Sequence, residues 1–589
     1  MQRRIDKKDV LVMTIMTVLY LILALVNLGD KKVPQTGYTP SVPGENWTVK
    51  FSKKHTINRI NYYCGLGTDR DVELIVDVFY RVSDNYYDMT HVKDGAVIIE
   101  KKTGDTFKLK TIMFDPVETD QIIFQVREKT GGELKEIAMY DVGSNTPIKD
   151  FELVDYTNEG AKYLFDEQDL MPNEPMFNNG TYFDEIYHAR TAYEHIKGIR
   201  QYENTHPPLG KLLIALGIEL FGMTPFGWRI VGTVFGAFMI PIMYLFGLKV
   251  FKKRLLAFSC AFLMMFDFMH FTQTRIATID VYVTFFIILM YYWMFDVYVN
   301  DSGENPKVYY RSFALSGIMF GIGIACKWIA FYASAGLFII LLMSKYNGYK
   351  PFEKIKQRKL RERKKEFVKK DFIKTFTYGM IFFVAIPATI YCASYIPVLK
   401  GEGKGAKLLG VVKLYIRHMY NYHSKEVLKA THPFSSRWYE WPIMKKPIWY
   451  YGKTNFIGGL KSTIVAFGNP LIWWVMILAF VVTIIIAKKT KDKRMFPIII
   501  AAVCQYMPWM FVERTTFIYH FFSIVPFGII MIVYIFEYLI SNNKKLKIAL
   551  YGYLGAVLVL FVIYYPVLSG MIISNDYIEK LKILKSWTF

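Results

Sequence analysis

The chain has 589 residues, a formal net charge of +22 and 53% apolar residues, with 46 Phe and 42 Tyr. Such an aromatic load exceeds what one soluble core takes up and suits a many-pass membrane protein with interfacial aromatic belts. The basic residues sit in short runs between apolar stretches, as topology signals do, which speaks against a nucleic-acid-binding domain. The five Cys, at 64, 260, 326, 392 and 504, form no CxxC pair, so neither a metal knuckle nor a disulfide framework is readable.

Residues 1–8 are basic and an apolar run follows to about residue 28. The run lacks an A-x-A-type cleavage site and is long enough to cross ~30 Å of hydrocarbon, so residues 1–29 read as a first transmembrane helix with a cytoplasmic N-terminus. Residues 30–44 form a Pro/Gly-rich linker. From 45 to 165 the apolar spans give way to short alternating runs at 56–63, 72–80, 95–101, 107–114, 121–128 and 133–142, separated by turn residues. That pattern predicts an extracytoplasmic all-β sandwich inserted after the first helix. It resembles discoidin-like, galactose-binding jelly rolls, which finish on a strand such as LKEIAMYD. Whether such a domain binds sugar or acceptor, docks a partner or serves as a spacer is open at this point.

Residues 166–225 form a first-loop segment. Within it, Asp184-Glu185 opens a helical stripe of Ile186, Ala189, Tyr193 and Ile196, and His206-Pro207-Pro208-Leu209-Gly210-Lys211 closes it. The apolar run 212–221 is too short to span and reads as interfacial. Transmembrane helices two to seven follow at about 226–250, 255–271, 281–299, 312–329, 331–344 and 373–396, making a core from 226 to 396. An external loop occupies 397–465, and helices eight to eleven, at about 466–487, 496–511, 517–540 and 547–568, fill 466–589. The stretch 344–371 carries 12 Lys/Arg against 4 Asp/Glu and is assigned to the cytoplasm. With about eleven spans, all four internal basic clusters fall on one side and the C-terminus lies outside. The chain is thus expected to be a polytopic α-helical protein of the cell membrane.

Polar residues gather at the outer ends of these spans: Asp184, Glu185, His206, Lys211, Arg229, Arg275, Asp280, Lys327, His432, Arg437, Glu513, Arg514 and His520. A charge placed in hydrocarbon costs at least ~2.5–3.5 kcal/mol, so Arg229 and Lys327, flanked by apolar sequence, demand a reason. Snorkelling to the interface is the plain one. Several cations in one leaflet also match a lipid phosphate, which lies at that depth and which Arg engages with a bidentate fork. The acidic pair has a plain reading as well, at a helix N-terminus where carboxylates are favoured.

The ordered set DE-x(20)-HPPLGK, GWRIVG (227–232), TRIATID (274–280), CKWIAFY (326–332), HPFSSRWYEWP (432–442) and PWMFVERTTFIYH (508–520) resembles the protein O-mannosyltransferases, GT-C-type enzymes, and among them the bacterial branch. The resemblance covers about 180–589. It implies transfer of a mannosyl group from a polyprenyl phosphate to Ser/Thr hydroxyls of exported polypeptides on the outer membrane face. It implies Asp184 as base with Glu185 beside it. Arg229, Arg514, Lys327 and Arg275 would hold the donor phosphate. His206, Pro207, Lys211, Asp280, His432, Trp438 and His520 would shape the acceptor side. The partners are then the lipid-linked sugar, which is a substrate, a polypeptide acceptor and membrane lipid. A dimer or an association with an export channel stays open.

An inverting displacement at a β-linked sugar phosphate needs one carboxylate base and charge stabilisation for the leaving phosphate, not a glycosidase-type pair. It calls for no cofactor and no metal; His432 and His520 have no ligand cluster around them. Two features depart from the family. The loop 397–465 is too short for the MIR domain of eukaryotic members, and the acidic pair follows the first span only after the β insertion. Two other classes compete. One is a GT-C transferase acting on a cell-wall polymer or lipid. The other is a transporter or scaffold, which the absence of internal repeats disfavours.

Overall fold

The computed structural model describes residues 5–67, 72–82, 85–88, 98–300, 302–349, 358–454, 456 and 458–589. The chain divides into two compact units, one of residues 27–194 and 215–229, the other of 1–26, 195–214 and 230–589.

The chain begins with α1 (Lys7–Leu25), 19 residues or about 28 Å, enough to cross a bilayer core. Its start is set by a capping box: the Asp6 carboxylate accepts from Lys8 N and Asp9 N, and Asp9 accepts from Asp6 N. The first unit then contributes strands β1 (Asn46–Cys64), β2 (Val72–Val82), β3 (Asn85–Asp88), β4 (Ile98–Lys102), β5 (Lys108–Thr130), β6 (Leu134–Asp141) and β7 (Phe151–Tyr156). Together they make one connected antiparallel sheet in the order β3-β2-β5-β1-β6, with β4 paired to β2 and β7 to β1. The strands expected at 107–114 and 121–128 are one continuous strand, β5. Of the run expected at 95–101, residues 95–97 lie outside the described residues.

The side-chain pattern of β1 shows how one strand serves one core. Trp47, Val49, Phe51 and Ile57 reach the core from odd positions, and Ile60, Tyr62 and Cys64 from even ones. The register slips between Ile57 and Arg59, and that bulge turns the second half over so that both halves bury their apolar side.

Beyond the sheet come α2 (Glu185–Lys197), α3 (Leu209–Phe221), α4 (Pro225–Phe251), α5 (Arg254–Met265), α6 (Phe268–Gln273), α7 (Asp280–Val299), α8 (Pro306–Cys326), α9 (Phe331–Tyr349), α10 (Arg358–Gly379) and α11 (Ile386–Ser394). Then follow α12 (Leu408–Ser424), the hairpin β8 (Ile448–Lys453) and β9 (Leu460–Ala466), α13 (Pro470–Thr490), α14 (Phe496–Tyr506), α15 (Val525–Asn542) and α16 (Lys547–Ser569). Among the described residues, 10 helices are long and apolar enough to cross a membrane. The remaining expected span, 255–271, is two short helices. Asp267 caps α6 by accepting from His270 N at 3.1 Å, and this capped start interrupts the apolar run after the 12 residues of α5. As expected, α3 is no span: 13 residues cover only about 20 Å.

Contacts inside the second unit show which helix ends lie together. Arg254 binds Asp6 and Asp9 at 2.6 and 2.8 Å. Arg494 donates to Val250 O at 3.0 Å, and Lys253 and Arg494 both reach Glu537 at 3.1 Å. Two basic clusters, at 251–254 and 488–494, thus meet the start of α1 and the end of α15. Residues 350–357 of the long basic stretch lie outside the described residues. At the opposite end of α1, Arg275 donates to the carbonyls of Ala24 (3.1 Å) and Val26 (2.6 Å). Those are the orphan acceptors of a helix C-terminus.

Candidate active site

The second unit encloses a cavity of about 470 Å³. Its walls come from the loop Thr205-His206-Pro207, the break between α8 and α9 at Lys327-Trp328, Tyr332, His423 on α12, and the segment Trp509–Arg514.

Each wall has a local cause. Glu203 organises the first loop: its carboxylate accepts from Thr205 N (2.8 Å), the Thr205 hydroxyl, His206 Nδ1 (3.1 Å) and Lys211 Nζ (2.6 Å). Lys211 is fully buried and also donates to the carbonyls of Glu203 (2.8 Å) and His206 (3.2 Å). It braces the loop from behind and does not touch the cavity. Pro207-Pro208 then starts α3, where a missing N–H costs nothing. At the second wall, α8 ends because Lys327 takes an extended conformation, φ −160°, ψ 138°. Its ammonium is held by both oxygens of Asp280, at 2.8 and 2.9 Å. Lys327 thus lines the cavity with its charge matched by Asp280, the first residue of α7.

Arg514 differs. Its guanidinium donates to Thr515 O at 3.1 Å, and among the described residues no carboxylate forms an ion pair with it. It also lines an adjoining polar cavity of about 580 Å³, together with Arg437, Trp438 and Lys446. Arg514 is therefore the cation of this cavity that an incoming anion can engage.

Two histidines complete the wall, their rings in edge contact at 5.4 Å. Burial pushes His206 down to about 3, against the pull of Glu203. Burial, with Arg514 adding to it, pushes His423 down to about 4. Both are neutral at pH 7 and offer hydrogen bonds rather than charge. His206 Nδ1 faces the Glu203 carboxylate and so carries the proton, leaving Nε2 as an acceptor. His423 donates from Nε2 to Thr205 O at 2.9 Å, and its buried Nδ1 has no protein partner.

The acidic pair belongs to the first unit. Phe183 adopts a left-handed φ of 48°, a conformation rarely seen for a bulky side chain, and turns the chain into α2. The Asp184 carbonyl accepts from Tyr187 N and His188 N at 3.0 and 3.1 Å, which makes Asp184 the first turn's entry residue; its side chain is half-buried. Glu185 is fully buried. Arg229 grips it with a fork, Nε to Oε1 and Nη2 to Oε2, both 2.7 Å, and Tyr182 N donates to Oε2 at 3.2 Å. The remaining arms of Arg229 go to Leu28 O (2.8 Å) and Gly180 O (2.9 Å).

Several expectations are thereby corrected. Arg229 is fully buried with its donors spent inside the protein, so it is a clamp and not a phosphate ligand, and Glu185 is the other jaw of the clamp rather than a reacting group. Arg275 is spent on the end of α1. His520 is buried and packs between Trp441 and Trp509, behind the wall that Trp509 forms, and does not itself line the cavity. His432 sits against Phe517 outside the cavity, and Trp438 lines the adjoining polar cavity and an apolar one of about 520 Å³. The structure does gather His206, Pro207, Lys327 and Arg514, with Lys211 and Asp280 behind them. It adds Glu203 and His423, which lie outside the specified letters of the quoted motifs, and Tyr332 and Trp509, which lie inside those motifs but are not among the expected site residues. His423 lies on an amphipathic helix in the loop 397–465, and Glu203 stands three residues before His206; both are signals legible in the sequence.

The apolar spans and the cavity beside the helix breaks are those of a polytopic α-helical membrane protein, and the comparisons with known proteins place it among the GT-C-type transferases. The family description "Dolichyl-phosphate-mannose-protein mannosyltransferase" matches residues 174–399, and "C-terminal four TMM region of protein-O-mannosyltransferase" matches 412–587. The polyprenol-phosphate-mannose–protein mannosyltransferase of Corynebacterium glutamicum is 24% identical over 424 residues, 65% of this chain and 81% of that one. Its counterpart in Mycobacterium tuberculosis H37Rv is 22% identical over 461 residues, 67% of this chain and 84% of that one. Among solved structures, the Saccharomyces cerevisiae protein O-mannosyltransferase Pmt1-Pmt2 complex shares the fold, with a TM-score of 0.58 at 12% identity over 69% of this chain and 89% of that one. The chain belongs to the protein O-mannosyltransferase family.

Proposed function

We propose that this protein transfers a mannosyl group from a polyprenyl phosphate to Ser/Thr hydroxyls of exported polypeptides, at the outer face of the cell membrane. The observation that carries the reading is Arg514, a guanidinium without a carboxylate partner among the described residues, lining a cavity beside Lys327, Trp328 and Trp509. A phosphate needs that fork, and a sugar ring packs well on aromatic faces.

In the reaction the acceptor oxygen attacks the anomeric carbon opposite the phosphate. The carbon–oxygen bond to the phosphate breaks, and its electron pair leaves on the polyprenyl phosphate. Arg514 stabilises that negative charge as it develops. Asp184 takes the hydroxyl proton, a role supported by the family motif and by its half-exposed side chain next to a fully buried Glu185. His206 and His423, both neutral, line the cavity and offer the sugar hydrogen-bonding rings rather than charge. The outer-face assignment is supported by the basic clusters gathered at the far end of α1 from Arg275.

The test is reconstitution in lipid vesicles with polyprenyl-phosphate mannose and a Ser/Thr-rich peptide. Mannosylated peptide is expected from the wild type and not from Asp184→Asn. Transfer to glycolipid or wall polymer in place of peptide would move the acceptor to another class, and undiminished peptide transfer by Asp184→Asn would remove the base assignment.

A further inference from the structure

Outside the transferase motifs, the β-sheet unit contains a buried carboxylate that nothing in the reaction uses. Glu136 lies on β6, where every residue from Leu134 to Tyr140 is buried. A charge at such a place needs compensation. Its carboxylate receives only neutral donors, Glu167 N at 3.2 Å and Gln168 Nε2 at 2.5 Å. Among the described residues no Lys, Arg or His forms an ion pair with Glu136, Asp166 or Glu167. Instead the three acids converge: one ligand oxygen of each lies within 4.8 Å of the others.

A second observation is independent of the acids. Gln168 is nine-tenths buried, and its amide nitrogen is spent on Glu136 and on Ile137 O (2.7 Å). Its Oε1 is buried with no partner. That oxygen shares a carbon with the nitrogen bonded to Glu136, so it stands beside the carboxylate cluster. Turning the amide over would set oxygen against the Ile137 carbonyl, so the orientation is fixed. A buried acceptor without a donor, next to three carboxylates, is short of a positive group.

We infer that Glu136, Asp166, Glu167 and the Gln168 side-chain carbonyl bind a hard divalent cation, calcium in preference to magnesium. An all-oxygen set excludes the softer transition metals. Ca²⁺ accepts about six to eight oxygens in a flexible shell, which suits a mixed set of carboxylates and one amide carbonyl, whereas Mg²⁺ demands near-ideal octahedral geometry and keeps its waters. Glu136 is buried, Glu167 half-buried and Asp166 exposed, which gives the ion a path from solvent. The ion would tie three segments together. Glu167 Oε2 already accepts from Gln35 N (2.6 Å), Thr36 N (2.8 Å) and the Thr36 hydroxyl (2.7 Å), and Asp166 accepts from that hydroxyl at 2.9 Å. The chain entering the sheet, the chain leaving it and β6 are thus joined at one point. The competing occupant is a proton, since burial pushes the Glu136 carboxyl up to about 8.

The full-length protein, purified in detergent and stripped with EGTA, is titrated calorimetrically with CaCl₂ and with MgCl₂, and its thermal unfolding is followed in parallel. Saturable binding of one Ca²⁺ per chain and a rise in the unfolding temperature are expected, with Mg²⁺ weaker. Glu136→Gln and Asp166→Asn should each weaken Ca²⁺ binding about tenfold or more. Asp166 is exposed, so its variant keeps the test open if Glu136→Gln fails to fold. Absence of Ca²⁺ binding to the wild type, or Ca²⁺ affinity unaltered in Asp166→Asn, would overturn the site; an unfolding temperature that Ca²⁺ leaves unmoved would assign Glu136 to the proton.

Discussion

Arg229 holds Glu185 through two parallel hydrogen bonds of 2.7 Å, and both side chains are fully buried. The fork consumes both carboxylate oxygens of Glu185 and fixes the first turn of α2 against residues 28 and 180. Of the acidic pair, Asp184 alone retains a half-exposed carboxylate. Glu185 is thus the structural member of the pair, and Asp184 is the member proposed as base.

Replacing each member separates these roles. Asp184→Asn should fold and unfold like the wild type and lower turnover by ~10²–10⁴-fold, the usual contribution of a positioned base. Glu185→Ala should leave a buried guanidinium without its partner and cost about 3–5 kcal/mol of stability. Turnover by initial rates and stability by thermal unfolding of the detergent-solubilised protein distinguish them; equal stability losses would put both acids in the clamp.

Arg514 is expected to act on the donor. Losing charge-assisted hydrogen bonds to a phosphate costs about 1.5–3 kcal/mol, so Arg514→Ala should lower kcat/KM for the lipid-linked sugar by roughly 10–100-fold. Arg514→Lys keeps the charge but not the fork and should fall between. Rates at subsaturating donor report this, and an unchanged kcat/KM in Arg514→Ala would assign the phosphate elsewhere.

The legible part of this molecule follows from patterns a single stretch of chain can carry. Apolar runs of span length announced the membrane helices, and alternation announced the strands. The loop at His206-Pro207 and the cations Lys327 and Arg514 stood out as polar groups at span ends, and they share one cavity. What stayed hidden depends on distant partners. Arg275 and Arg229 look like any flanking cation until Ala24, Val26 and Glu185 appear beside them. Residues Asp115–Asp120 read as a turn between two strands, with Pro116 and acids. Yet β5 runs through them, its register to β1 shifting on either side, where a bulge tolerates a proline. Asp267 split an expected span because one carboxylate suffices to cap a new helix.

The Lys327–Asp280 pair makes a prediction about coupling. Either single neutralisation, Lys327→Met or Asp280→Asn, strands a charge in the cavity wall and should be clearly destabilising. The double variant removes both charges and should be more stable than the sum of the single losses predicts, by about 1–3 kcal/mol. Additive losses in thermal unfolding would mean that the two residues act independently, contrary to the chelated geometry of 2.8 and 2.9 Å.

The neutral histidines set an acid limit. His206 and His423 are pushed down to about 3 and about 4 by burial, whereas in the unfolded chain both protonate near 6.5. Below pH 6.5 the unfolded state therefore binds more protons than the folded one, and stability must fall as pH falls; above 6.5 these groups contribute no slope. The decline should run from about pH 6.5 towards 4, at no more than about 1.4 kcal/mol per pH unit for each histidine. Replacing His423 with Gln, which keeps a donor for Thr205 O, removes one titrating group and should flatten the fall in unfolding temperature across that window. A slope identical to the wild type would show that His423 is not held neutral in the folded protein.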